Sequence, residues 1–232
     1  MADDRRVILF DLDGCLVDST VPIRSCLDAA FEEHGVPPIP PDGLRRHIGP
    51  PLQVTLSELV AEHGLPGDLV DDLVTAYRSR YATVSVDLAI SYPGVPELVA
   101  KLAADGHRVG VVTSKPQRFA VPIIEALDLD RHYEVIVGPE LTEAEPKTAT
   151  LARALEKLDT LRPVDRSRSV MIGDRHHDID AAREHGLTGI GVLWGFGDRE
   201  ELEAAGATAI VATADELADV LRDLDGADQG RL

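Results

Sequence analysis

The sequence predicts an α/β protein in which a doubly wound, mostly parallel sheet carries an all-helical insert directly after its first strand. Three observations predict it. Residues 7–10, Val-Ile-Leu-Phe, are an apolar run with no polar residue on either face, as expected of a strand covered on both sides. From 22 to about 85 the apolar period is helical and no strand is evident. From residue 108 onward short apolar strands alternate with helical stretches, which implies parallel strands joined by right-handed crossovers. The expected organisation is a core over 1–16 and 91–232 with a helical cap over 17–90.

Taken in order, strand 6–11 opens the chain. Ile23, Cys26, Leu27, Ala30 and Phe31 recur at helical spacing, and Gly35 stops that helix. Residues 35–41, Gly-Val-Pro-Pro-Ile-Pro-Pro, form a stiff connector. Asp42 is placed to cap a short helix through Leu44 and His47, which Gly49-Pro50-Pro51 breaks. Leu52, Leu56, Leu59 and Val60 mark a further helix ending near His63 and Gly64. Asp68 is placed to cap a fourth, carrying Leu69, Leu73, Val74, Tyr77 and Tyr81. Tyr92-Pro93-Gly94 punctuates the return, and a helix through Val95, Leu98, Val99, Leu102 and Ala103 stops at Gly106. There follow strand 108–113, helix 117–127, strand 134–137, helix 148–158, strand 169–173, helix 179–185, strand 189–193, helix 199–205, strand 208–212 and a helix from Asp215. Pro122 lies inside helix 117–127 and predicts a late start or a kink there. The polar tail 223–232 is expected to fray.

An apolar fraction of 44% in 232 residues supports a packed core. The net charge of −18 argues against nucleic acid or an anionic membrane as partner, because bulk electrostatics would repel both. A small anionic substrate stays compatible with it, since a local cation cluster can override the global field. Cys15 and Cys26 belong to no metal pattern, and Cys15 is read as a small packing residue. The acidic N-terminus runs straight into a strand with no signal peptide, and no apolar run approaches the ~18 residues of a membrane span, so a cytoplasmic protein is expected.

The candidate chemistry collects at strand ends, where open α/β sheets bind ligands. Asp11 and Asp13 close the first strand, and Gly14 allows a sharp turn after them. Alone, Asp-Leu-Asp-Gly could be an acidic turn; two carboxylates so close are costly without a cation or reacting group between them. The second strand ends in Thr113-Ser114-Lys115, a natural phosphate cradle that by itself reads more readily as a helix cap. Lys147 precedes the helix at 148 and by itself reads as a solvated surface lysine. The strand at 169–173 runs into Asp174 and, four residues on, Asp178, which could serve only as an N-cap. The neighbouring His176 and His177 make a poor zinc pair, with no Cys or third His at zinc spacing. Taken together, the aspartate pairs, Thr113 and Lys147 form an oxygen-rich set suited to Mg²⁺.

At this point the chain resembles the haloacid dehalogenase superfamily of phosphatases with a helical cap, over essentially its whole length. Asp11-Leu12-Asp13-Gly14, Thr113, Lys147 and Gly173-Asp174 with Asp178 match the four motifs in order. Ile48-Gly49-Pro50-Pro51-Leu52, Tyr92-Pro93-Gly94, Thr113-Ser114-Lys115-Pro116 and Trp194-Gly195-Phe196-Gly197 resemble its phosphoglycolate phosphatase and 5′-nucleotidase-like branch. The resemblance implies a Rossmannoid core and hydrolysis of a small phosphorylated metabolite through an aspartyl-phosphate. Asp11 is then the nucleophile and Asp13 the general acid and base. Mg²⁺ is held by Asp11, the Asp13 carbonyl and Asp174, with Asp178 acting through a water or Lys147. Thr113 and the Ser114 N–H hold phosphoryl oxygens. Lys115 and Gly49 face the substrate from core and cap. Arg45 and Arg46 read as solvated more readily than as substrate contacts. Only Trp194 and Phe196 among the aromatic residues are expected near the strand ends. A β-phosphoglucomutase-like mutase and a non-catalytic binding protein on this scaffold are the competing readings.

Overall fold

The structure, a computed structural model, describes residues 5–40, 43–141 and 145–229. Val7–Phe10 (β1) is its first strand, and every residue of it is buried. Because side chains alternate across a strand, Ile8 and Phe10 join one core cluster while Val7 and Leu9 join another on the opposite face. The uninterrupted apolar run is thereby explained.

Five further strands, Arg108–Val112 (β2), Val135–Val137 (β3), Val170–Gly173 (β4), Thr188–Val192 (β5) and Ala209–Val211 (β6), complete a parallel sheet in the order β3-β2-β1-β4-β5-β6. The chain lays β2 and β3 on one side of β1 and β4 to β6 on the other. The sheet order therefore reverses beside β1, and a crevice opens at the carboxyl ends of β1 and β4. Asp11 N–H donates to the Ile172 carbonyl at 2.9 Å and ties these two ends together.

Helices Val95–Ala104 (α4), Gln117–Ala126 (α5) and Ala214–Gln229 (α9) cover the Ile8 face. Lys147–Leu161 (α6) and His176–Glu184 (α7) cover the Val7 face, and Arg199–Ala205 (α8) packs beside α7. Between β1 and α4 lie Thr20–His34 (α1), a 3₁₀ turn at Arg45–His47, Leu52–Glu62 (α2) and Leu69–Asp87 (α3). α3 packs against both α1 and α2, and also against α5. Where the chain leaves for these helices and returns, its two passes run side by side. Asp18 N–H donates to the Ile90 carbonyl at 2.9 Å and Tyr92 N–H to the Leu16 carbonyl at 3.3 Å.

Several expectations need correction. Asp68 makes no side-chain cap to α3; its backbone is already helical. α5 does not start late: it runs from Gln117 through Pro122, and burial of Phe119, Ala120, Ile123 and Ile124 holds it despite the missing N–H. α7 begins three residues before the expected 179, which moves Asp178 from the cap into the first turn. The expected caps by Asp42 and the contacts of Arg46 lie outside the described residues. The tail does not fray at 223, because α9 continues to Gln229. Its anchor is Arg6, whose side chain is 3% exposed and donates to Asp225 Oδ1 at 2.5 Å, the Leu224 carbonyl at 2.5 Å and the Arg168 carbonyl at 2.7 Å.

Removing a buried, fully bonded guanidinium strands its acceptors. Arg6→Ala is expected to cost about 3 kcal/mol and lower Tm by about 10 °C. Asp225→Asn should cost less, since the two carbonyl contacts survive. Thermal denaturation of both variants checks the order.

Candidate active site

Asp11 lies one residue past β1, and its carboxylate meets the Lys147 ammonium, with Nζ to Oδ1 at 2.6 Å. Lys147 is the first residue of α6 and is buried, so the solvated-lysine reading fails. Its Nζ also pairs with Asp178 Oδ1 at 2.9 Å. Asp178 Oδ2 in turn accepts the Arg175 N–H at 3.2 Å, as a carboxylate at the third position of a helix can. Asp178 is thus fixed by both a charge and a helix end.

Asp174 follows β4 and is fully buried. One of its oxygens accepts the Phe196 N–H at 2.6 Å, while Oδ1 meets no donor among the described residues. Gly14 packs so tightly against this carboxylate that a Cβ there would overlap it, and its φ of +85° is a second reason for glycine. Ligand atoms of Asp11, Asp174 and Asp178 lie within 4.8 Å of one another. Three buried carboxylates against one ammonium leave a net negative charge, and Asp174 Oδ1 is left without a donor among the described residues. An oxygen-only donor set of this charge fits a hard divalent cation such as Mg²⁺.

Electrostatics follow the same imbalance. Burial, opposed by Lys147 and reinforced by Asp178, pushes the Asp11 carboxyl up to about 7. Burial together with Asp11 and Asp178 raises Asp174 well above the carboxylate range. Burial works against the Lys147 ammonium, but the two carboxylates outweigh it and hold it above its ordinary value.

A second ion pair serves Asp13. Lys115 Nζ lies 2.8 Å from Asp13 Oδ1, and the Ser19 hydroxyl donates to the same oxygen. The Lys115 ammonium also donates to the Tyr81 hydroxyl and sits 4.4 Å from the centre of that ring. Thr113 is buried; its Oγ1 accepts the Lys115 N–H at 3.1 Å, which leaves the hydroxyl proton for another acceptor. Asp11, Asp13, Thr113, Ser114, Lys115 and Gly49 all line one pocket. Lys147, Asp174 and Asp178 lie beside Asp11 and do not line the pocket.

The aromatic wall of that pocket was not found from sequence. It is built by Tyr77, Tyr81 and Phe119, whereas Trp194 and Phe196 are absent from it. Trp194 Nε1 donates to the Cys15 carbonyl at 3.0 Å, and the Phe196 N–H serves Asp174. Tyr77 and Tyr81 fell at apolar helix positions; the available signal was that a buried tyrosine needs a partner for its hydroxyl. Arg45 is exposed and outside the pocket, as the solvated reading expects, and its guanidinium also donates to the Gly195 carbonyl at 2.5 Å. Arg175 returns the contact, donating to the Ile48 carbonyl at 2.5 Å. His176 bonds Glu201, with Nδ1 to Oε1 at 2.6 Å, and its ring lies 3.7 Å from that of His177, tilted by 48°. Cys15 is fully buried, as the packing reading expects.

The sequence matches the haloacid dehalogenase-like hydrolases over residues 8–192. The chain belongs to this family. It is 35% identical over 220 residues to the tyrosine-protein kinase PtkA of Mycobacterium tuberculosis, covering 93% of this chain and 72% of that protein. It is 34% identical over 214 residues to a 5′-nucleotidase of Pseudomonas aeruginosa, covering 92% and 94%. The crystal structure of a predicted phosphatase from Clostridium acetobutylicum superposes with a TM-score of 0.84 at 29% identity, covering 94% of this chain and 99% of that one. These likenesses agree with the Rossmannoid parallel sheet.

The raised Asp11 carboxyl carries a sign that can be tested on protein kept free of metal by a chelator. A carboxyl raised on folding favours the folded state below its unfolded value of 3.8, and that benefit is lost as the pH rises through about 7. Asp11→Asn escapes the loss. Its Tm is expected to exceed wild type by about 5 °C at pH 8, with the gap shrinking toward pH 5.5. Thermal melts across that range check it.

Proposed function

We propose that this hydrolase-family protein is an Mg²⁺-dependent phosphatase of small phosphomonoesters, phosphoglycolate phosphatase-like or 5′-nucleotidase-like. The observation that carries the reading is the division of labour between two lysines. Lys147 holds Asp11 on the metal-suited side, while Lys115 and Ser19 hold Asp13 two residues away in the same pocket.

In this reading an Asp11 oxygen attacks phosphorus in line, the bond to the leaving oxygen breaks, and Asp13 gives that oxygen a proton. Asp13 then takes a proton from water, which attacks the aspartyl-phosphate and frees phosphate and Asp11. Thr113 and the Ser114 N–H hold the phosphoryl oxygens. Asp11, the Asp13 carbonyl and Asp174 hold Mg²⁺, which neutralises the charge of the arriving phosphate and keeps Asp11 ionised. Asp178 keeps Lys147 aimed at Asp11. Residues 17–90 act as a cap, with Gly49 in its turn over the pocket, and the latch of Arg45 and Arg175 keeps bulk water out. No described helix is long and apolar enough to cross a membrane. That fits the cytoplasmic reading, and the acidic surface fits a protein without nucleic-acid or membrane partners. The relative named as a tyrosine-protein kinase favours one second reading, in which an acceptor hydroxyl replaces water in the last step.

Phosphate release with Mg²⁺ should be measured on phosphoglycolate, 5′-nucleotides, sugar phosphates and p-nitrophenyl phosphate. Asp11→Asn is expected to abolish it, by about a thousandfold or more. Asp13→Asn should cost about 10²- to 10⁴-fold on alkyl esters and less on the aryl ester, whose leaving group needs no proton. Release that survives chelation or Asp11→Asn would sink the reading. Phosphate that appears on an added alcohol in place of water would select the transfer reading.

A further inference from the structure

Arginine accounting singles out one residue. Arg6, Arg80, Arg108, Arg153 and Arg175 are buried or half-buried, and each pairs with a carboxylate: Asp225, Glu33, Glu134, Glu145 and Glu201. Arg78 is half-buried as well, yet among the described residues it makes no ion pair and no side-chain hydrogen bond. The chain has 41 acidic side chains against 23 basic ones, so partners are not scarce. Arg78 projects from α3 into the pocket that holds Asp11 and Asp13. A guanidinium withdrawn from water without a partner is costly, and a ligand anion would relieve that cost.

A second guanidinium stands close by. Burial, and after it the charge of Arg118, hold Arg78 below its ordinary value. Arg118 is on α5, makes no ion pair among the described residues, and lies 5.3 Å from the centre of the Phe119 ring. Phe119 meets Tyr81 edge-on at 5.8 Å, and the other side of this aromatic pair carries Lys115, the partner of Asp13. The cations that line the pocket are thus Lys115 and Arg78, with Arg118 outside it on the exposed side of α5. Lys115 is neutralised by Asp13; Arg78 is neutralised by no described residue.

We infer that Arg78, supported by Arg118, anchors a second oxyanion of the substrate, a carboxylate or a further phosphate, while the ester phosphate lies at Asp11. This inference rests on the phosphatase reading and narrows its substrate class to phosphomonoesters that carry another anionic group along a short skeleton. Arg78 acts on binding and specificity, not on the reacting bonds.

Matched pairs test it. 3-Phosphoglycerate against glycerol 3-phosphate adds a carboxylate; fructose 1,6-bisphosphate against fructose 1-phosphate adds a phosphate. Wild type should favour the doubly anionic member of at least one pair in kcat/KM, and that pair names the anion. In Arg78→Gln the preference is expected to fall about tenfold to a hundredfold, through KM, while Arg78→Lys keeps part of it. A preference unchanged in Arg78→Gln, or wild type favouring the singly anionic ester in both pairs, overturns the anchor. The two readings fail separately. If no ester is turned over, the phosphatase reading falls, and calorimetric titration of the same pairs into Asp11→Asn with and without Arg78→Gln still decides the anchor by the same ratio.

Discussion

Three buried carboxylates share one ammonium at the centre of this molecule, and much of the fold is arranged to make that tolerable. An uncompensated buried charge costs several kcal/mol, so Asp11, Asp174 and Asp178 can sit together only if Lys147 is delivered among them and a further cation can be admitted. The sheet order satisfies the first need by placing β1 next to β4, which brings Asp11 and Asp174 to neighbouring strand ends. α6 opens with Lys147, and the N–H of Arg175, the residue before α7, reaches Asp178. Gly173 completes the arrangement, since any Cβ there would collide with the Asp178 carboxylate.

The helical insert is bound to this centre by a second, smaller charge problem. Asp13 points into the pocket, away from Lys147, and is compensated by Lys115. Lys115 in turn reaches Tyr81 on α3, so one ammonium touches both the core strand end and the inserted helices. Around the rim, Arg45 and Arg175 exchange bonds with backbone carbonyls across the same boundary. Each such bond is worth on the order of 1 kcal/mol, little enough for the insert to open and close if substrate exchange requires it.

What could be read from sequence, and what could not, divides along sequence separation. The apolar run at 7–10 and the βα alternation specify the sheet because burial on both faces is written locally, in consecutive residues. The aspartate pair, Thr113, Lys147 and Asp174 were legible because residues at strand ends converge once the strand order is inferred. The pairing of Asp178 with Lys147 came only from the family resemblance, since an aspartate at a helix start by itself reads as a cap and Lys147 belongs to another helix. The tail looked frayed because nothing near residue 225 marks it as the acceptor for Arg6. Tyr77 and Tyr81 looked like core positions, and they are: a residue that packs with one edge and lines a pocket with the other keeps the same apolar period.

The charge of −18 shows why composition misleads about ligands. It sets the far field, but counter-ions screen exposed charges beyond about 8 Å at physiological ionic strength. Within that distance only the residues lining the pocket count, and inside a partly desolvated pocket they count more strongly than at the surface. There Lys115 and Lys147 are already balanced by aspartates, so they position an arriving anion's reacting end without supplying much net attraction. In the proposed reading, net attraction falls to a divalent cation held by the carboxylates and to Arg78, whose charge nothing in the described chain cancels. An acidic protein can thus attract an anion, provided that an unpaired cation faces its cavity.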